Sequence, residues 1–259
     1  MNTSSFELQF LGTGAADYDW DSFGKPGVRG STSSLLNNHI LIDCGATGLR
    51  NLKRFSVPFS TVDTLLITHS HSDHLNVEQI VELSAARKKP LELYASPESI
   101  SKIPKTETII THPLSPGMKF DLGDIAVTAL PGNHQTDIPG EITLHYCFET
   151  PVGNLLYALD SSWLLKAEIL LLKHLHLDWF IMDGTVADDG DYRIFEHTDI
   201  NMAKHMVKTL RGMQIVTDDT QIYLDHFAKT LWPIAEKDRQ QKVAGTGFHL
   251  ATDGLKISR

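Results

Sequence analysis

At 259 residues, with 41% hydrophobic and 21% charged residues, the chain has the make-up of an ordinary globular protein, long for one domain but within the range of large α/β folds. The net charge of −9 and the lack of any basic run longer than Arg87-Lys88-Lys89 argue against a protein built to grip long nucleic acid. No stretch approaches a membrane span. Residues 1–10 lack the basic segment and apolar run of a secretory signal, so a cytoplasmic location is expected. Cys44 and Cys147 both lie in apolar, strand-like surroundings and are expected to be buried free thiols rather than a disulfide.

Residues 6–11 alternate in polarity and run into Gly12-Thr13-Gly14, which predicts a strand ending in a turn. A long loop follows at 13–31, rich in Gly and Asp and carrying Tyr18, Trp20 and Phe23. Loops of this length inside a domain are commonly lids or binding loops. Residues 33–37 and 39–43, split by Asn37-Asn38, predict a hairpin. Helix is expected over 45–55, a buried strand over 63–68 and a packed amphipathic helix over 75–88. Further strands are expected at 91–95, 125–130, 144–150, 154–159, 179–182 and 221–224. Helices are expected at 162–174, 199–211 and about 230–240. No linker, repeat or low-complexity segment divides the chain, so residues 1–259 read as one domain. Its strands and helices suggest two sheets flanked by helices in a four-layer αββα sandwich.

The chemistry concentrates after the strand at 63–68. His69, His71, Asp73 and His74 sit in a short strand-to-helix loop, where residues two apart can converge on one ion and Asp73 and His74 can face a second. Imidazole and carboxylate donors suit Zn²⁺ and equally Mn²⁺, Fe²⁺ or Ni²⁺. More candidate ligands stand where apolar strands stop: His134, Asp160 and His226. Asp43 and Asp183 share that placement. They read either as acceptors that orient ligand histidines or as turn and cap residues. His174 and His176 mimic a paired motif at a helix end. They, with His39, His112, His145, His205 and His249, are assigned no site role.

The run His69-Ser70-His71-Ser72-Asp73-His74 resembles the HxHxDH signature of the metallo-β-lactamase superfamily, and the resemblance extends from Phe10-Leu11-Gly12-Thr13-Gly14 to His226. It implies two divalent ions. One would be held by His69, His71 and His134, the other by Asp73, His74 and His226, with Asp160 bridging. Leu11-Gly12-Thr13-Gly14, Arg29-Gly30-Ser31-Thr32-Ser33-Ser34 and Glu196-His197-Thr198 are similar to the phosphodiesterase branch. That branch includes tRNA 3′-processing endonucleases and the cyclic-phosphoribosyl phosphodiesterase of the carbon–phosphorus lyase pathway.

The resemblance implies hydrolysis of a small, anionic phosphodiester, cyclic ones included, by in-line attack of a hydroxide bridging the metals, with His197 and Asp73 at the catalytic centre. Arg29 or Lys25 would hold a distal anionic group. The 15–28 loop has no cysteine, so the structural zinc of the cyclic-phosphoribosyl enzymes is not expected, and no arm for gripping tRNA stands out. Thioesterase, lactonase and tRNA 3′-endonuclease activities remain alternatives. A homodimer is common among similar proteins.

Overall fold

Two seven-stranded mixed sheets carry the chain, in a computed structural model that describes residues 6–188 and 190–259. The strands are β1 (Glu7–Gly12), β2 (Ser33–Leu36), β3 (Ile40–Ile42), β4 (Thr64–Leu66), β5 (Leu91–Ala95), β6 (Ile109–Pro113), β7 (Lys119–Leu122), β8 (Ile125–Pro131), β9 (Leu144–Thr150), β10 (Gly153–Ala158), β11 (Trp179–Asp183), β12 (Gln221–Asp225), β13 (Phe248–Leu250) and β14 (Lys256–Ser258). The helices are α1 (Gly48–Arg54), α2 (Val77–Ala85), α3 (Pro97–Ser101), α4 (Lys166–Leu172), α5 (Ile200–Gly212) and α6 (Glu236–Val243). The described residues fall into two compact units, each built on one sheet.

The first unit orders its strands β14-β1-β2-β3-β4-β5-β6. Pairing is antiparallel from β14 to β3 and parallel from β3 to β6. The hairpin forms where expected: Asn37 and Asn38 both take positive φ, 49° and 63°, the left-handed pair that a tight turn between twisted strands requires. Leu41, Leu65 and Leu93 from the sheet, Leu49 and Leu52 from α1, and Ile80 and Leu83 from α2 form one buried cluster. Burial of that apolar surface is what holds α1 and α2 against the strands. The 13–31 loop is tied at its base by Asp253, which accepts from the Thr13 backbone and hydroxyl and from Gly30 N–H at 2.7–3.0 Å.

The second unit orders its strands β13-β12-β11-β10-β9-β8-β7, parallel from β13 to β10 and antiparallel beyond. Helix α5 buries Met202, Ala203, Met206, Val207 and Leu210 along one stripe, the spacing expected of a helix packed on one face. Its N-cap is Asp199, whose carboxylate accepts from Met202 N–H at 2.7 Å.

Apart from α5, which is shifted by one residue at its expected length, the expected helices are shorter than the sequence periodicity suggests. The one expected over 75–88 starts at Val77 because Asn76 caps it, and the one expected near 230–240 spans Glu236–Val243, with Pro233 in the turns before it. Helix 162–174 contracts to α4 and 45–55 to α1. Strands β6, β7, β13 and β14 and the short α3 were not expected. All four of those strands are sheet edges. Cys44 and Cys147 are free and buried, and burial pushes each thiol up to about 12.

One close approach fixes the loop after β4. The Cys44 N–H bonds to His74 O and the Asn76 N–H bonds to Cys44 O, both at 2.8 Å, clasping the turn 69–76 onto the end of β3. A Cβ on the neighbouring Gly45 would lie 1.8 Å from the carbonyl oxygen of Asp73. Only glycine fits there. Gly45→Ala should therefore cost about 3 kcal/mol, at the upper end for single substitutions, a drop of roughly 6–12 °C in Tm for a chain this size. A thermal melt indistinguishable from wild type would contradict this reading of the clasp.

Candidate metal centre

In the first unit, the parallel register of β3 and β4 pairs Ile42 with Leu66, so Asp43 leaves β3 level with Ile67 and its side chain meets Thr68, the next residue along. Asp43 takes φ 62°, a left-handed turn rare outside glycine. Its fully buried carboxylate accepts from Thr68 N–H at 2.8 Å and lies 2.8 Å from His74 Nδ1. Burial pushes the Asp43 carboxyl up, and His74 with the Thr68 hydrogen bonds offsets this only in part. The Thr68 hydroxyl stands 2.9 Å from Asp43 Oδ2 and 3.0 Å from His69 Nδ1. With the hydroxyl proton on the carboxylate, His69 Nδ1 is the donor to Thr68. His74 Nδ1 likewise donates to Asp43. Both assignments leave Nε2 as the basic nitrogen.

Those nitrogens converge on their companions. His69 Nε2 lies 3.0 Å from His71 Nδ1, close to the roughly 3.3 Å edge of a tetrahedron of nitrogen ligands around a zinc-sized ion. His74 Nε2 lies 3.6 Å from Asp73 Oδ2. His69, Asp73 and His74 are buried and His71 half-buried.

In the second unit, β10, β11 and β12 end in register, with Ala158 beside Met182 and Asp183 beside Asp225. Asp160 and His226 follow two of those ends, again left-handed, with φ 51° and 63°. The Thr185 hydroxyl donates to His226 O at 3.0 Å, so His226 Nδ1, 2.7 Å away, donates to Thr185. His226 Nε2 then faces Asp160 Oδ1 at 3.3 Å. His134 follows β8. Its Nδ1 lies 3.2 Å from the backbone carbonyl of Glu196, which can only accept. His134 thereby also presents Nε2.

His197 stands apart in role. Its Nδ1 donates to Asp183 Oδ2 at 2.7 Å, with the Thr185 hydroxyl at 3.1 Å and Asp160 Oδ1 at 3.7 Å. The side chain is 12% exposed, against 3% for His226. Burial acts to raise the Asp183 carboxyl, but the charge and hydrogen bond of His197 outweigh it and hold the group below its usual range. Asp183 also accepts from Ser161 and Thr185 N–H, at 3.1 and 2.7 Å, so it orients the histidine and closes the turn after β11 together. The capping of α5 falls to Asp199 and leaves His197 out of it. Asp160, Asp183, His197 and His226 bring one donor atom each within 4.8 Å of one another.

Arg29 is buried, with a guanidinium nitrogen donating to the Thr13 hydroxyl, whereas Lys25 is exposed and reaches Ser22. His174 and His176 are exposed.

Three residues with a bearing on the ligands escaped the sequence reading. Glu141 accepts from the hydroxyls of Ser70, Ser96 and Ser99, bracing the turn of candidate ligands through the serine between His69 and His71. Burial alone would raise the Glu141 carboxyl, but these bonds and one from Thr136 together lower it. His145, assigned no role, is wholly buried. Its Nδ1 lies 2.8 Å from Glu168 and its Nε2 bonds to Leu159 O at 3.1 Å, one residue before Asp160. A Cβ on Gly132, two residues before His134, would lie 2.9 Å from that same Nε2. His145 and its partner Glu168 thus support the turns that carry the candidate ligands His134 and Asp160. Nothing in linear spacing links residues 132, 145, 160 and 168; the pairing of β8, β9 and β10 brings the first three together, and Glu168 reaches His145 from α4.

The sequence pattern of the beta-lactamase superfamily domain matches residues 38–227. The chain belongs to this superfamily. A ribonuclease Z of Methanopyrus kandleri is 32% identical over 151 residues, covering 56% of this chain and 50% of that protein. The chain spans half or less of the first curated relatives it matches. Among solved structures, the metallo-β-lactamase fold protein YhfI from Bacillus subtilis superposes with a TM-score of 0.76 at 17% identity, covering 99% of this chain and 100% of that one. A diphosphatase of the PhnP family reaches 0.74 at 19% identity, covering 98% and 97%. The superfamily member described here thus has the metallo-β-lactamase fold expected from its sequence.

That fold implies bound divalent metal, and the donor set fits it. Four of the buried or half-buried imidazoles spend Nδ1 on a protein oxygen and present Nε2, while His71 turns Nδ1 toward His69. Asp43→Asn retains the shape but weakens the acceptor behind His74. It should lower divalent-metal affinity by roughly 10–100-fold, measured by chelator competition, with little change in circular dichroism. Unchanged affinity would show that Asp43 serves only the turn.

Proposed function

We propose that this chain is a metal-dependent phosphodiester hydrolase with two divalent ions, Zn²⁺ or Mn²⁺ with Fe²⁺ and Ni²⁺ as further candidates. One ion would be held by His69, His71 and His134 and the other by Asp73, His74 and His226, with Asp160 shared. When bound, such ions supply Lewis acidity toward the phosphoryl oxygens and the attacking water. The ligand assignment rests on the superfamily resemblance and on the nitrogen each imidazole presents within its own unit. The substrate class finds support in relatives whose names denote phosphate-ester chemistry, a ribonuclease Z and a PhnP-family diphosphatase. We read residues 1–259 as one catalytic domain. No helix among the described residues is long and apolar enough to cross a membrane. Two buried free thiols suit a reducing compartment, and we place the protein in the cytoplasm.

The observation that carries the reading is His197. A thioester or lactone hydrolase of this fold needs only the ligands, whereas His197 is an additional imidazole anchored by Asp183 at 2.7 Å. Asp183 fixes its proton on Nδ1 and favours the charged ring once Nε2 also carries a proton. His197 Nε2 then delivers a proton to the departing oxygen of a phosphodiester, or donates a hydrogen bond to the charge building on the phosphoryl group. Asp73 joins the catalytic centre as a ligand. Arg29, bonded to Thr13, would act by holding the loop base rather than by reaching substrate.

His197→Ala should lower turnover of bis-p-nitrophenyl phosphate by roughly 10²–10⁴-fold, the usual worth of a general acid, while bound metal per chain stays at the wild-type level. Metal loss in that variant would make His197 a ligand. Faster wild-type turnover of lactones or thioesters than of the diester would overturn the phosphodiesterase reading.

A further inference from the structure

Helix α5 begins three residues after His197, and its exposed charges all have one sign. Lys204, Lys208 and Arg211 are exposed, and no acidic residue lies within the helix. Arg211, in the last turn, complements the helix dipole. Lys204 and Lys208 have no such excuse: four residues apart, they repel each other and destabilise the helix. Among the described residues neither has a carboxylate within ion-pair distance, and Lys204 reaches only Asn201, at 3.4 Å. The acid beside Arg211, Asp218, is 98% exposed at 3.7 Å, a weak partner.

These three side chains line one groove of about 350 Å³ whose opposite wall is Gly245, Thr246 and Phe248. That wall is the turn between α6 and β13. Gly245 and Gly247 take φ 75° and 80°, and a Cβ on either would meet nothing within 4 Å. Of the two, Gly245 lines the groove and carries no side chain, so a ligand can approach the backbone closely there. From Ile200 the helix rise puts Lys204 about 6 Å and Arg211 about 17 Å along α5. The interval of about 10 Å between them spans roughly three phosphates of a stacked strand at about 3.4 Å each. On a protein of net charge −9, such a stripe stands out as a local attractor for anions.

We propose that this groove binds the sugar–phosphate backbone of a single-stranded nucleic acid that runs along α5 from the phosphodiester at His197. The inference rests on the phosphodiesterase reading and adds a second contact surface to it. Three cationic contacts outside the catalytic centre would then set affinity for a long substrate without touching the reacting phosphate.

The test uses a dye-labelled 2′-O-methyl oligouridylate of about twelve nucleotides, within the span that single-strand grooves cover, and fluorescence anisotropy across a salt series. Combining Lys204→Ala, Lys208→Ala and Arg211→Ala should weaken binding roughly tenfold at low salt and lower the salt slope by about 2, at about 0.7 per lost contact. The pair Lys204→Arg and Lys208→Arg should bind like wild type. Hydrolysis of bis-p-nitrophenyl phosphate and the thermal melt should be unchanged in both variants. Equal affinity and slope in wild type and the alanine variant would overturn the proposal. So would competition by inorganic tripolyphosphate as strong as that by the oligomer, since the groove would then serve free phosphates. Failure of the underlying reading shows separately, as a wild-type protein inactive on the diester.

Discussion

A buried imidazole has two nitrogens to satisfy, and that constraint organises both halves of the proposed centre. His69, His74 and His226 are buried away from bulk solvent, so each must find partners or bear the cost of an unmet polar group. In each case Nδ1 is committed to an oxygen: Thr68, Asp43 and Thr185 respectively. The tautomer follows, and Nε2 is directed at the neighbouring ligand. His134 reaches the same state through the carbonyl of Glu196. The surrounding architecture serves this arrangement. Parallel registers bring Asp43 to within a hydrogen bond of Thr68 and Asp183 level with Asp225, and Asp43, Asp160 and His226 all take left-handed backbone where they leave the strands. Left-handed backbone at three non-glycine residues costs energy, and it is maintained where ligands or their acceptors leave the sheets.

The same logic bears on His197, proposed as a catalytic group among the candidate ligands. Its Nδ1 is committed to Asp183, like the others, but its ring keeps more exposure than that of His226. A histidine oriented by a buried carboxylate has the pairing that proton transfer uses, and this underlies the proposed role. The local charges also qualify what net charge can say. A value of −9 describes the whole surface, while α5 presents only cations, and a substrate meets the local field.

Much of the fold could be read in advance because the inner strands are apolar runs with defined ends. Strands β5 and β9 occupy the expected residues, β8, β11 and β12 run one residue longer, and β10 is shifted by one residue. The four unforeseen strands are all edges. An edge strand has one bonded neighbour and needs less apolar surface: β7 alternates Lys119 and Asp121 with half-buried residues, and β14 is three residues long. The candidate ligands were legible because short polar groups at strand ends interrupt otherwise apolar sequence. Their supports were less so. Asp43 and Asp183 could be named as acceptors or turn residues, and within their units they act as both. Glu141, His145 and Glu168 carry no local signal, because their partners come from strand pairing and from segments tens of residues away.

The central claim is that hydrolysis of phosphodiesters by this chain depends on two divalent ions. Metal content per chain, determined by mass spectrometry alongside bis-p-nitrophenyl phosphate turnover during chelation and reconstitution, tests it most directly. The account predicts about two ions per chain at full activity, loss of turnover as they are removed, and recovery on restoring Zn²⁺ or Mn²⁺. Turnover that survives complete chelation, or full activity with a single ion, would contradict it.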